Sequence, residues 1–170
     1  MLKKQNFTDI SKIIGFFHLC GMVTENMYGF IITNMCLVDK IYMYIFISRP
    51  FSWIVCKDEC IISYIVKKYN NPYYELGKEP ENVKDISDLF YNEKLYSIFY
   101  HTNNIMRVIS LYMVNYRTTN VPLIFFNPTI ILYLLYIYDI KYKFNYRFVL
   151  FPYFQTIMCV YLYVLFCRIN

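Results

Sequence analysis

Residues 148–167 read FVLFPYFQTIMCVYLYVLFC, twenty positions without a charged side chain, closed off by Arg147 and Arg168. At about 1.5 Å rise per residue a helix of this length covers about 30 Å, the thickness of the hydrocarbon core of a bilayer. A helix buried in a soluble domain rarely needs so long an uncharged run. The segment therefore predicts a membrane span and makes lipid the solvent for much of the chain. The expected fold is an all-α membrane protein with about three transmembrane helices, within a range of two to five, around a polar insert.

Working back from this stretch, residues 121–138 supply eighteen further uncharged positions, among them Pro122, Asn127 and Pro128. In lipid a proline frees a backbone carbonyl that neighbours must satisfy, which predicts a kink or a broken helix at Pro128. A third candidate span, 28–48, carries Asp39 and Lys40 near its centre. Each charge costs about 2.5–3.5 kcal/mol at a helix centre, whereas each Ile, Leu, Val or Phe returns only about 0.3–0.6 kcal/mol. The segment inserts only if both charges meet protein or water, which nominates Asp39 and Lys40 for contact with a partner helix. The alternative is that they mark a break between two short in-plane helices. The apolar run 13–23 is too short to span, so residues 1–27 are expected as a cytoplasmic or interfacial segment. It lacks a small-residue cleavage pattern, which favours a retained anchor over a cleaved signal.

Residues 49–120 hold the polar insert and an ambiguous apolar zone with His101 and Arg107. Asn70-Asn71-Pro72 and Glu79-Pro80 are turn signals. Ile61, Ile62, Ile65 and Val66, then Val83, Ile86, Leu89 and Phe90, predict two short amphipathic helices. An insert this small cannot bury a core alone and is expected to lie on the membrane or on a partner. Its carboxylates, Glu75, Glu79, Glu81, Asp85 and Asp88, alternate with lysines and read as a solvated face. The basic stretch 139–147, with Lys141, Lys143 and Arg147, and the N-terminal Lys3, Lys4 and Lys12 should both be cytoplasmic, leaving the insert and Asn170 lumenal. Asn6-Phe7-Thr8, a formal glycosylation acceptor, would then stay unmodified.

The chain is 58% hydrophobic and 17% charged, against about 45–50% and 25% in ordinary globular domains. Twenty Tyr, fifteen Phe and no Ala are also what A/T-rich codons would produce, and translated A/T-rich sequence is an open alternative for the part after Asn120. The net charge of +5 is scattered, which argues against nucleic acid as a partner. Six cysteines lie mostly inside apolar runs and show no disulfide framework. Cys56 and Cys60 share a face if that stretch is helical, but there is no second ligand pair, and His18 and His101 are distant in sequence. No metal, no cofactor and no catalytic residue is assigned. Without a phosphate loop, a nucleophile elbow or a zinc pair, an autonomous enzyme is not expected, although an intramembrane catalyst can use a single Asp or Cys that carries no motif.

Tyr28-Gly29-Phe30, followed by an apolar stretch and then by Pro50, Phe51, Ser52 and Trp53, resembles the first transmembrane segment of subunit P of the GPI-anchor N-acetylglucosaminyltransferase. In that family a Tyr-Gly-Phe opens the span and a Pro-x-Ser-Trp closes it near its lumenal end. The likeness covers 26 of 170 residues and includes Trp53, the chain's one tryptophan. A looser likeness runs from Phe99 to Val114, with Tyr112 on a recurrent tyrosine, and Lys84-Asp85-Ile86-Ser87 is similar to an element placed elsewhere in the family's order. The two spans after Asn120 replace what is a cytoplasmic tail in that family. The resemblance implies a non-catalytic subunit of the endoplasmic reticulum complex that transfers N-acetylglucosamine from UDP-GlcNAc to phosphatidylinositol, the first step of GPI synthesis. Its partners would be the lipid bilayer and the other subunits. The candidate interface residues are Tyr28, Gly29, Phe30, Asp39, Lys40, Pro50, Ser52 and Trp53; glycine admits close helix approach, and Tyr and Trp sit at headgroup level. The competing expectation is a multispan membrane protein of an A/T-rich parasite or virus with no enzymatic activity of its own.

Overall fold

The structure is a computed structural model; the description covers residues 2–32 and 36–169, backbone only at 2–9, 147, 168 and 169. Among the described residues every regular element is helical: α1 (Leu2–Ile31), α2 (Cys36–Val55), α3 (Ile61–Asn70), the single turn α4 (Lys84–Ser87), α5 (Glu93–Val114), a π-helical turn (Asn115–Thr119), α6 (Leu123–Tyr142) and α7 (Tyr146–Ile169). Two of these are long and apolar enough to cross a membrane, α6 and the Phe148–Cys167 part of α7. The third expected span is not one described helix. Positions 28–48 fall on the last turn of α1, on residues 33–35 outside the description, and on the first part of α2. The chain divides into two units, one of Met1–Tyr28 with Ser52–Arg107, the other of Gly29–Phe51 with Val108–Asn170.

In the second unit α6 and α7 form a helical hairpin. Phe126, Ile130, Tyr133 and Ile137 of α6 are buried, as are Phe154, Met158, Tyr161 and Leu165 of α7. Both sets follow a 4-3-4 spacing; in α7 this is a narrow seam of the coiled-coil kind, whereas α6 also buries Thr129, Leu132, Tyr136 and Asp139 and presents a broader face. Tyr136 stacks on Phe154 at 5.0 Å between ring centroids. The connection is shorter than the nine-residue loop expected at 139–147. Helix α6 continues to Tyr142, and the reversal takes only residues 143–145, with Lys143 and Asn145 in the left-handed region at φ 57° and 65°. Asp139 makes this possible. Its carbonyl accepts the Lys143 amide at 2.8 Å, and its carboxylate accepts the Tyr146 amide at 2.6 Å. One residue thus satisfies orphan groups at the end of one helix and the start of the next. Helix α6 runs unbroken through Pro128, because that proline lies near its first turns, where few carbonyls lose a partner.

The inward side of α2, Tyr42, Met43, Phe46, Ile47 and Pro50, is buried, and Phe46 meets Tyr133 edge-on at 5.0 Å. Ahead of it, Asp39 is fully buried and accepts from Arg117 and from the Thr118 hydroxyl. The π-helical turn that carries Arg117 is closed by Asn115, whose side chain accepts the Val121 amide at 2.9 Å and donates to the Val121 carbonyl at 3.0 Å.

The first unit holds the insert, and a buried ion pair rather than an apolar core organises it. Lys67 Nζ donates to Glu59 Oε1 at 2.6 Å, to the Glu79 carbonyl at 2.6 Å and to Tyr74 Oη at 3.2 Å. Tyr74 and the Gly77 amide complete the Glu59 carboxylate, each at 2.8 Å. Every oxygen of this carboxylate has a donor, the condition under which a buried pair persists. The loop 71–82 is thereby tied to α3. Helix α3 turns out differently from its apolar pattern: Ser63, Val66 and Lys67 are buried, whereas Ile61 and Ile65 are 46% and 52% exposed. In the zone that reads as ambiguous, Arg107 donates to Asn26 Oδ1 at 2.7 Å, and Asn26 donates to Asn103.

Candidate functional site

Three residues far apart in sequence meet in the first unit: His18 of α1, Cys60 and Asp85. The turn after α2 sets up the second of them. Lys57 and Asp58 both take positive φ, 51° and 68°, which ends α2, swings Glu59 inward to Lys67 and leaves Cys60 extended at the N-cap of α3, at φ −67° and ψ 127°. Cys56 and Cys60 consequently lie on either side of a turn and do not share one helical face. Asp85 sits in α4. It is buried, unlike the solvated face its neighbours suggest.

Helix α1 brings the histidine. Gly15 stands one turn before His18 on the same face, and a Cβ there would lie 1.9 Å from the Asp85 carbonyl oxygen. Only a residue without a side chain lets the two backbones approach this closely. On the same stripe, Ser11 donates to Asn70 Oδ1 at the far end of α3, at 3.0 Å.

The resulting geometry is a relay. His18 Nδ1 donates to Asp85 Oδ2 at 2.7 Å, and His18 Nε2 lies 3.7 Å from Cys60 Sγ. Nucleophile, base and orienting carboxylate stand in the order that thiol and hydroxyl nucleophiles use. Burial by itself pulls the imidazole toward its neutral form, but the bonds to Asp85 and Cys60 and the charge of both outweigh it, raising its pKa to about 9. Burial pushes the thiol up, and the hydrogen bond and charge of His18 more than reverse this, with smaller contributions from the Ser63 and Ile62 amides, so that Cys60 titrates below its ordinary value. Position at a helix N-terminus works in the same direction. Tyr96 is pushed up to about 12 by burial and by the Asp85 charge. Asp85 Oδ1 and, one turn into α3, Ser63 Oγ are buried without a hydrogen-bond partner. Both ring nitrogens of His18 are committed to different partners, and among the described residues no group of three or more His, Cys, Asp or Glu side chains is disposed to hold a metal ion.

The interface residues expected from sequence are placed elsewhere. Gly29, on the last turn of α1, donates its amide to Ser110 Oγ at 2.8 Å, and Tyr42 Oη lies 2.9 Å from the same hydroxyl. A Cβ at Gly29 would lie 2.5 Å from Ser110 Oγ, so this glycine does admit close helix approach, to α5 of its own chain. Tyr28 and Phe30 flank it, half-buried. Asp39 finds its counter-charge within the chain, on Arg117, rather than on a partner helix; Lys40 beside it is half-buried. Pro50 is buried in α2, and Ser52 and Trp53 form the end of that helix, their carbonyls accepting the Cys56 and Asp58 amides at 2.9 and 2.6 Å. His18, Cys60 and Asp85 were invisible to motif reading, because 42 residues separate the first pair and 67 the second. The one local trace is Gly15 at three residues before a histidine inside an apolar run. Comparison with family models, with curated proteins and with solved structures finds no match to this chain, so its residues alone carry the functional reading.

Proposed function

We propose that the chain is an integral membrane protein of the endoplasmic reticulum, anchored by the α6–α7 hairpin, and that it acts as an accessory subunit of a membrane enzyme complex. The observation that carries the membrane reading is the outward surface of the hairpin. Only 39% of the α6 window and 22% of the α7 window are buried, and what faces outward is Leu123, Ile124, Ile131, Phe148, Val149, Tyr163 and Phe166. A core helix of a soluble protein is mostly buried, and water-facing patches this large and uncharged belong to membrane or partner surfaces. Lys141, Lys143 and Arg147 around the turn set that end on the cytoplasmic side. The narrower reading, a non-catalytic subunit of the complex that transfers N-acetylglucosamine to phosphatidylinositol, is supported by the likeness over residues 28–53 and by the tight glycine contact of Gly29 within it.

Two measurements test these readings separately. In microsomes, a chain with an engineered glycosylation acceptor between 70 and 82 and a tag after Asn170 should resist carbonate extraction and give a defined pattern of modification and tag protection. Extraction by carbonate overturns the membrane reading. In mild detergent the chain should bring down a glycosyltransferase, and its depletion should lower GlcNAc-phosphatidylinositol. If neither changes while the chain stays membrane-bound, the subunit reading fails alone.

A further inference from the structure

We propose that Cys60, His18 and Asp85 form an acyl-transfer site, in which the Cys60 sulfur accepts the acyl group of an ester or thioester of an apolar acid. The Cys60 sulfur lies 3.7 Å from Nε2 of an imidazole whose Nδ1 is held by a carboxylate at 2.7 Å. It is independent of the accessory role above, because these residues lie outside the 28–53 likeness.

Two further features point to a ligand. Ser63 Oγ and Asp85 Oδ1 are buried polar atoms with no partner, and such atoms cost free energy unless something arrives to pair with them. Ser63 is on the first turn of α3, the helix that Cys60 caps, and its hydroxyl can donate to an acyl carbonyl oxygen; Asp85 Oδ1 belongs to the carboxylate that holds His18. The Ile62 and Ser63 amides at the start of α3, which have no intrahelical acceptor, are directed at the Cys60 sulfur. The apolar class of the acyl group is drawn from the chain neighbours of the pair: Ile61, next to Cys60, and Phe17, next to His18, are 46% and 69% exposed.

The chemistry closes without a further reactant other than water. The Cys60 thiolate attacks the acyl carbonyl carbon and forms the C–S bond, while the carbonyl electron pair moves to oxygen. Collapse breaks the bond to the alcohol or thiol, which leaves with the proton from His18 Nε2. Water then gives a proton to Nε2 and attacks the thioester; the C–S bond breaks, the acid departs and the thiolate and protonated Nε2 are restored. Asp85 acts as a positioning residue, holding the ring with Nε2 toward the sulfur.

The test uses the full chain in mild detergent with p-nitrophenyl octanoate as the probe. A burst of about one equivalent of nitrophenolate, with a hydroxylamine-labile octanoyl adduct on the Cys60 peptide, is expected. Cys60→Ala should abolish both, and His18→Gln should slow acylation by about 100-fold, the lower end of what general acid–base groups contribute. Asp85→Asn should displace the pH profile of acylation. An adduct spread equally over Cys56 and Cys60 overturns the proposal, as does an unchanged rate in a folded His18→Gln chain. Should the variants lose their helical signal, alkylation of the unaltered chain by iodoacetamide at pH 6 decides: Cys60 must react faster than Cys56, and equal rates refute the site.

Discussion

Replacing Gly15 by alanine tests the close contact on which the site rests. The added methyl group would sit 1.9 Å from the Asp85 carbonyl oxygen and 2.8 Å from its carbon, both backbone atoms that cannot rotate away. Reaching ordinary contact at 3.4 Å requires α1 and α4 to separate by about 1.5 Å. The His18–Asp85 bond, 2.7 Å long, would then exceed hydrogen-bonding distance. Loss of a hydrogen bond to a charged group costs about 1.5–3 kcal/mol, and overpacking adds about 1–3 kcal/mol. Alanine returns about 1 kcal/mol of helix propensity, so a net destabilisation of about 1.5–5 kcal/mol is expected. The site should report the same event independently. With only two histidines in the chain, NMR titration of the imidazole resonances can follow His18 directly, and its pKa should fall from about 9 toward the ordinary 6.5 as the carboxylate withdraws. A Gly15→Ala chain with unchanged stability and an unchanged His18 titration refutes the packing argument, and with it the claim that this glycine positions the histidine.

Because His18 is raised from 6.5 to about 9 on folding, the stability it contributes is present in full below pH 6.5 and is lost as pH rises through 9. The advantage of the unaltered chain over His18→Gln in thermal unfolding should therefore shrink between pH 6 and pH 9.5, and a constant advantage counts against the pair. Lys67→Met leaves the Glu59 carboxylate, which is fully buried, with only Tyr74 and the Gly77 amide as donors. The expected loss is about 3–5 kcal/mol, with early protease cleavage in 71–82 as the readout; Glu59→Leu added to it should recover part of the loss. Tyr161 lies in the hairpin seam with a hydroxyl that has no partner. Tyr161→Phe should leave the hairpin as stable or stabilise it by up to about 1–3 kcal/mol, measured by thermal dissociation of the helices in detergent, and a net loss shows that the hydroxyl is paired.

The α6–α7 hairpin was legible in the sequence because a long uncharged run has few alternatives and its charges sit at the ends. Asp39 reads in the sequence either as a contact for a partner helix or as the mark of a break; its counter-charge, Arg117, lies 78 positions away in the same chain, where no local pattern reveals it. The turn at 143–145 is shorter than the basic stretch 139–147 suggests, because the residues that mark it for topology say nothing of Asp139 satisfying both helix ends. The insert departs from its pattern for a different reason. Helix α3 forms but exposes Ile61 and Ile65, and only one turn of the second expected helix, α4, forms, because what holds the insert is a lysine–glutamate pair and backbone donors, which have no period. Asp85, Cys60 and His18 each look ordinary in their own segment, and only the glycine contact and the two left-handed residues at 57 and 58 bring them together.

The double role of Asp139 has a consequence for how the hairpin comes into being. Its backbone closes α6 and its side chain opens α7, so fraying of the end of α6 would carry the carboxylate away from the start of α7. The start of α7 therefore depends on the finished end of α6, whereas the end of α6 does not depend on α7. During synthesis the end of α6 can close as soon as Lys143 is made, and the Asp139 carboxylate then stands ready to receive the Tyr146 amide, so that the finished helix seeds the one that follows it.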